Sequence, residues 1–128
     1  MNHKSLPDIS DEEIKDEVMK LHQSIYEKTG HEMKYIRPPK GEYSERTLAV
    51  TKELGYTNVM WTFGYLDYDE NVQKGTEYAK KIVLDNLHNG EIMLLHGNSK
   101  DNANALDSII KEAKAEGYEF KSLDEFER

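Results

Sequence analysis

The sequence predicts an α/β fold in which parallel strands alternate with helices, and three observations carry that reading. Helical and strand-like apolar patterns follow one another in the order αβαβαβαβ. The connections between them are short, as crossovers between parallel strands require. The side chains best suited to chemistry, Arg37, Asp67 and His96, each follow a predicted strand. In α/β architectures the carboxyl ends of the strands form the functional face.

Each element has its own signal. Ser10 followed by Glu13 is a capping-box pattern, and Ile14, Val18, Leu21 and Ile25 recur at helical spacing up to Thr29 and Gly30. Residues 33–36 read as a strand, stopped by Pro38 and Pro39, whose rings remove backbone donors and stiffen the loop through Gly41. Ser44 caps a second helix that carries Leu48 and Leu54 and stops at Gly55. Residues 58–62 form the next strand, with Val59, Met60 and Trp61 as an apolar run suited to burial on both faces. The stretch from Phe63 to Lys74 lacks periodicity and is the longest loop. A third helix starts near Thr76, passes Tyr78, Ile82 and Leu87, and ends at Asn89 and Gly90. Residues 92–95 are the most apolar strand. Asp101 caps a helix carrying Ala105, Leu106, Ile109, Ile110 and Ala113, closed by Gly117. Residues 118–121 supply a last strand, and 123–126 a final helical turn. The expectation is a single domain over residues 1–128, with no linker.

Composition narrows the function classes. The 128 residues are 37% hydrophobic and 33% charged, enough for one thin core. A net charge of -8 without any basic run argues against nucleic acid as a partner, since binding a polyanion needs a concentrated basic surface. Cysteine is absent, which excludes disulfides and thiolate metal sites. No apolar stretch approaches the roughly 20 residues that span a bilayer, and no signal-peptide pattern opens the chain. As written, the sequence predicts a cytoplasmic product.

The candidate residues admit two readings each. Arg37, aimed by a backbone that two prolines hold, suits a bidentate clamp on a carboxylate, or is a surface arginine. His96 stands at the end of the most apolar strand, where an imidazole serves as general acid or base, or simply as a structural group. Asp67 or Asp69, in the long loop, would orient it. Trp61, Tyr65 and Tyr68 crowd the same strand end and suit the apolar faces of sugars, with Trp61 equally at home in a core. His22, His31 and His88 show no ligand spacing with one another.

At RPPKG, at WTFGYLDY and at IMLLH the chain resembles the C-terminal part of a polysaccharide deacetylase, the NodB-homology or carbohydrate esterase family 4 domain. Within that family it is most similar to the delta-lactam-biosynthetic de-N-acetylases, which remove acetyl from muramic acid in spore-cortex peptidoglycan. RPPKGEYSE, NVQKGTEYA, LLHGNSKDNANALDSI and GYEFKSLDEF extend the likeness over nearly the whole chain. The resemblance implies a partial (β/α) barrel whose N-terminal strands are missing, and a hydrolase of amide bonds other than peptide bonds. The implied partner is peptidoglycan or another N-acetylated glycan.

The resemblance also implies roles. Arg37 with Pro39 matches the family's R-x-P motif, whose arginine pairs with the catalytic base; Asp67 matches the acidic residue that tunes the catalytic histidine, and His96 matches that histidine, the general acid. Leu94 and Leu95 would line the acetyl pocket, Trp61 would lie near the same groove, and Tyr68 stands in the substrate wall where generic members have Trp. Lys40 replaces their Phe or Tyr and fits the subgroup. His3, ahead of Leu6, matches the second histidine of the H-[ST]-x-x-H metal motif. Neither the first histidine nor the T-F-D-[DN]-G segment with its metal-binding aspartate and base is present in the sequence. Zinc or a similar divalent metal is thus expected in the complete domain and weakly held or absent here, with this chain inactive alone. The complete enzyme is expected to be exported or cell-wall associated, and the unpaired sheet edge of this chain to favour homo-oligomers. The competing expectations are a non-catalytic carbohydrate-binding remnant and an unrelated acidic α/β adaptor.

Overall fold

The computed structural model describes residues 3–126, and the chain divides between Met60 and Trp61 into two compact units. Each unit contains one pair of parallel strands joined through a helix.

In the first unit a 3-10 turn, Leu6–Asp8, leads into α1 (Asp11–Thr29). Ser10 Oγ accepts the Glu13 amide while the Glu13 carboxylate accepts the Ser10 amide, so the capping box satisfies donors that the helix start leaves open. Gly30, at φ 71°, turns into the left-handed region and closes the helix by donating to the Tyr26 carbonyl. β1 (Tyr35–Ile36) pairs in parallel with β2 (Thr57–Asn58), and α2 (Glu45–Glu53), capped by Ser44, makes the crossover. Leu6, Ile14, Val18, Val50 and Tyr56 form the buried core of this unit. Arg46 fastens α2 to the chain ahead of α1, donating to the Asp11 carboxylate and to the Pro7 and Ile9 carbonyls.

In the second unit β3 (Phe63–Gly64) pairs in parallel with β4 (Met93–Leu94), with α3 (Thr76–Leu84) between them and α4 (Lys100–Ala115) after β4. Ala79 and Val83 of α3 meet Ala105 and Ile109 of α4 in a fully enclosed contact, and Phe63, Tyr65, Met93 and Leu95 close around it. Small residues at a helix contact let the two axes approach closely.

Several boundaries depart from the sequence pattern. The strands over 33–36, 58–62 and 92–95 shrink to two-residue ladders, and the run from Val59 to Trp61 leaves the sheet, with Met60 exposed. A strand instead begins inside the expected loop, at Phe63. The third helix stops at Leu84, short of Leu87, where the Asn86 amide donates to the Ile82 carbonyl and competes with further winding. Ser99, not Asp101, caps α4, accepting the Asn102 amide, while the Asp101 carboxylate accepts the Gly75 amide at 2.7 Å. No strand forms over 118–121 among the described residues: a ladder needs a neighbour, and β4 pairs only with β3 there. The final turn is the 3-10 segment Leu123–Glu125.

Candidate active site

β4 delivers His96 two residues beyond its carboxyl end, and the loop after β3 brings Asp67 to meet it. The Asp67 side chain is fully buried, a position a charge holds only when it is paired and hydrogen-bonded. Its Oδ1 lies 2.7 Å from His96 Nδ1. Its Oδ2 accepts the His96 backbone amide at 2.7 Å and the Asn102 Nδ2 at 2.6 Å. Burial opposes the charge, but these donors from the His96 backbone, the His96 ring and Asn102 outweigh it and hold the carboxyl below its ordinary range. An ionised carboxylate only accepts, so the proton on this side of the ring belongs to His96 Nδ1. Nε2, across the ring, is left to exchange protons with a ligand.

A second layer supports the pair. The Tyr65 hydroxyl donates to Asn102 Oδ1, which leaves the amide nitrogen facing Asp67. Burial, then the charge of Asp67, pushes the Tyr65 hydroxyl up to about 12, so it remains a donor throughout the neutral range. The aperiodic loop is ordered by side chains rather than by a ladder. Asn98 Nδ2 donates to the Tyr68 carbonyl and to Glu70, and Gln73 Oε1 accepts from Ser99 Oγ and the Asp101 amide.

Residues 1–59 match the family model described as polysaccharide deacetylase. The peptidoglycan-N-acetylmuramic acid deacetylase PdaA of Bacillus subtilis (strain 168) is 41% identical over 125 residues, which are 97% of this chain and 48% of the relative. An uncharacterised 30.6 kDa protein of Geobacillus stearothermophilus is 45% identical over 125 residues, 97% of this chain and 47% of that protein. The solved structure of Bacillus subtilis PdaA, a family 4 carbohydrate esterase, matches with a TM-score of 0.92 over 97% of this chain and 53% of that one. Along 97% of its length the chain is similar to polysaccharide deacetylases. It spans about half the length of the curated relatives it matches. Its parallel strands and helices are those of the family 4 esterase fold.

The residues that the deacetylase resemblance singles out fall on both units. Asp67, His96, Trp61, Tyr68, Leu94 and Leu95 belong to the second, and His3, Arg37 and Pro39 to the first. Tyr68 is 58% exposed and sets its ring edge-on to His96, centroids 5.9 Å apart. Trp61 lies over Gly64, where an added Cβ would stand 3.3 Å from the indole and 3.5 Å from Leu94 Cβ. Leu95 packs into the helical core of the second unit, and so does Tyr65, which therefore faces Asn102 and not a glycan groove. Asp69 serves its own turn, accepting the Asn71 amide. In the first unit Pro39 is buried in the 3-10 turn Pro39–Gly41, Lys40 sits at φ 58°, and Arg37 is exposed at the end of β1. His22 is structural, its Nδ1 2.6 Å from the Tyr56 hydroxyl.

Among the described residues no three His, Asp or Glu side chains converge on a point that would hold a metal. His3 is exposed, and one imidazole does not make the three-ligand open geometry of a catalytic zinc. Asn102 and Ser99 escaped the sequence reading. Their signal was the i, i+3 spacing of a helix cap in NSKDN, which points to a helix start and not to a catalytic neighbour.

Proposed function

We propose that the chain supplies the proton-donating part of a peptidoglycan deacetylase site that removes N-acetyl groups from amino sugars, N-acetylmuramic acid being the favoured one. The observation that supports this reading most is the buried Asp67 locked to His96 Nδ1 beyond β4, in a chain akin to an N-acetylmuramic acid deacetylase. As the tetrahedral intermediate of an acetamide collapses, its C–N bond breaks and the departing amine takes a proton from His96 Nε2. The Asp67 carboxylate steadies the imidazolium before transfer and the Nδ1–H tautomer after it. A proton donor placed in this way contributes about 10²–10⁴-fold in rate.

The remaining roles follow the family. Arg37 pairs with the base, Pro39 of the same R-x-P motif lies on the substrate side, Leu94 and Leu95 receive the acetyl methyl, and Trp61 and Tyr68 wall the sugar. His3 is one ligand of the divalent metal, zinc or similar, that the complete domain uses. Among the described residues no group of three ligands forms that centre. Residues 1–128 would then be the C-terminal portion of a catalytic domain that works in the cell wall, and are inactive alone. The open sheet edges of this chain favour self-association, which a monomeric gel-filtration profile at high concentration would contradict.

The test is acetate release from muramic-acid-containing glycan strands by this chain, with zinc added and then chelated. No release is expected. Metal-dependent release that fails in His96→Ala would mean that the chain completes a site by itself. Glycan binding that survives both chelation and His96→Ala would favour a non-catalytic binding module instead.

A further inference from the structure

We propose that Asn102, held in place by Tyr65, is a positioning residue for the Asp67–His96 pair, fixing how the Asp67 carboxylate faces and hence which ring nitrogen of His96 carries the proton. The inference deepens the proton-donor reading above and rests on it for its functional meaning.

Asn102 is buried near the start of α4, and every polar atom of its amide is engaged. Nδ2 donates to Asp67 Oδ2 at 2.6 Å and to the His96 carbonyl at 3.3 Å, while Oδ1 accepts from Tyr65. The amide alone has no way of telling its two ends apart, because a half-turn exchanges donor for acceptor. Asp67 and the His96 carbonyl make that choice, because both only accept and so demand the amide nitrogen. The amide oxygen is then left for the Tyr65 hydroxyl, whose donation holds the side chain in that orientation.

The chain of donors has one direction throughout: Tyr65 to Asn102, Asn102 to Asp67, and His96 Nδ1 to Asp67. Asp67 Oδ2 is also held by the His96 backbone amide, so the two oxygens have separate duties. Oδ2 anchors, and Oδ1 is kept for the ring. The other titratable groups in this neighbourhood are Tyr68 against the His96 ring, Tyr78 edge-on to Tyr65, and Asp101, whose charge acts on Tyr65. None of them donates to Asp67 among the described hydrogen bonds, so the second anchor on Oδ2 comes from Asn102.

The reading is separable from catalysis, since tautomers are visible without turnover. The ¹⁵N shifts of the His96 imidazole, taken in the 128-residue chain where the ring is neutral, give the ratio of Nδ1–H to Nε2–H. Asn102→Asp faces Asp67 with a second carboxylate, and two such groups at contact share a proton, which removes charge from Asp67, weakens Oδ1 as the acceptor of Nδ1–H and lowers the ratio most. Asn102→Ala lowers the ratio by about fivefold, the size of one net hydrogen bond. Tyr65→Phe, which conserves volume, lowers it in the same direction by less. Should the Asn102 variants fail to fold, Tyr65→Phe decides. Folded variants whose His96 keeps the wild-type tautomer ratio would overturn the proposal and leave Asn102 a packing residue, whatever acetate release shows. A shifted ratio in this chain, together with a full-length deacetylase carrying residues 1–128 that releases acetate equally well in His96→Ala, would uphold the positioning role and count against the proposed reaction.

Discussion

Asp67 and Glu91 are two carboxylates that flank β4, one met beyond its carboxyl end and the other just before its amino end, and they live in opposite circumstances. Asp67 is buried and accepts hydrogen bonds on both oxygens, which keep it ionised. Glu91 has both oxygens buried without a hydrogen-bond partner, and burial pushes its carboxyl up. The two groups lie near opposite ends of β4 and share a side-chain chemistry. What separates them is the supply of donors: a helix start and a loop bring Asn102 and His96 to Asp67, whereas Glu91 meets only a poorly placed His88 backbone amide that does not offset its burial. Burial makes a carboxylate usable only where donors accompany it.

The largest way to break this comparison is Asp67→Ala. It strands the His96 amide, the His96 ring and the Asn102 amide in a buried space, and is expected to cost about 3 kcal/mol in chemical denaturation. The wild type has a matching pH signature. Because the folded state lowers Asp67 below its ordinary 3.8, the stability it lends is complete above that value and lost as pH falls through the lowered one, and the Ala variant lacks that acid limb.

Glu91→Met should act in the other direction. Removing a carboxylate without partners while keeping the chain length is expected to raise stability at neutral pH by about 1 kcal/mol. The sign is again fixed by linkage. With the folded value raised above 4.5, the protonated form favours the fold, so the wild type loses stability as pH rises through that raised value and Glu91→Met does not. A variant no more stable than wild type at neutral pH would mean that Glu91 finds a donor in solution.

Gly64→Ala probes the packing of Trp61 with the smallest effect. The new methyl would press on the indole at 3.3 Å, so Trp61 shifts by a few tenths of an ångström while stability changes by less than about 1 kcal/mol. Trp61 is the sole tryptophan of the sequence, and its fluorescence maximum reports the move.

How far these features can be read in advance differs by the range of the interaction. The caps at Ser10 and Ser44 and the stop at Gly30 are written locally, because donor and acceptor lie within four residues. Strand extent is not local: residues 92–95 are the most apolar run, yet only Met93 and Leu94 find a partner. The same reasoning separates the site residues. His96 and Asp67 are marked by their place after strands and by the family resemblance. Asn102 is not, since its function depends on Tyr65 and Asp67, 37 and 35 residues away in sequence. Tyr65 likewise reads as a surface aromatic until the helices α3 and α4 close over it.

The most direct test of the account is a graft in which residues 1–128 replace the matching 48% of the Bacillus subtilis deacetylase, assayed for metal-dependent acetate release from muramic-acid glycan. An active graft that loses about 10²-fold or more in His96→Ala, and nearly as much in Asp67→Asn, is the predicted result. An active graft indifferent to His96→Ala would contradict the assignment of the proton donor.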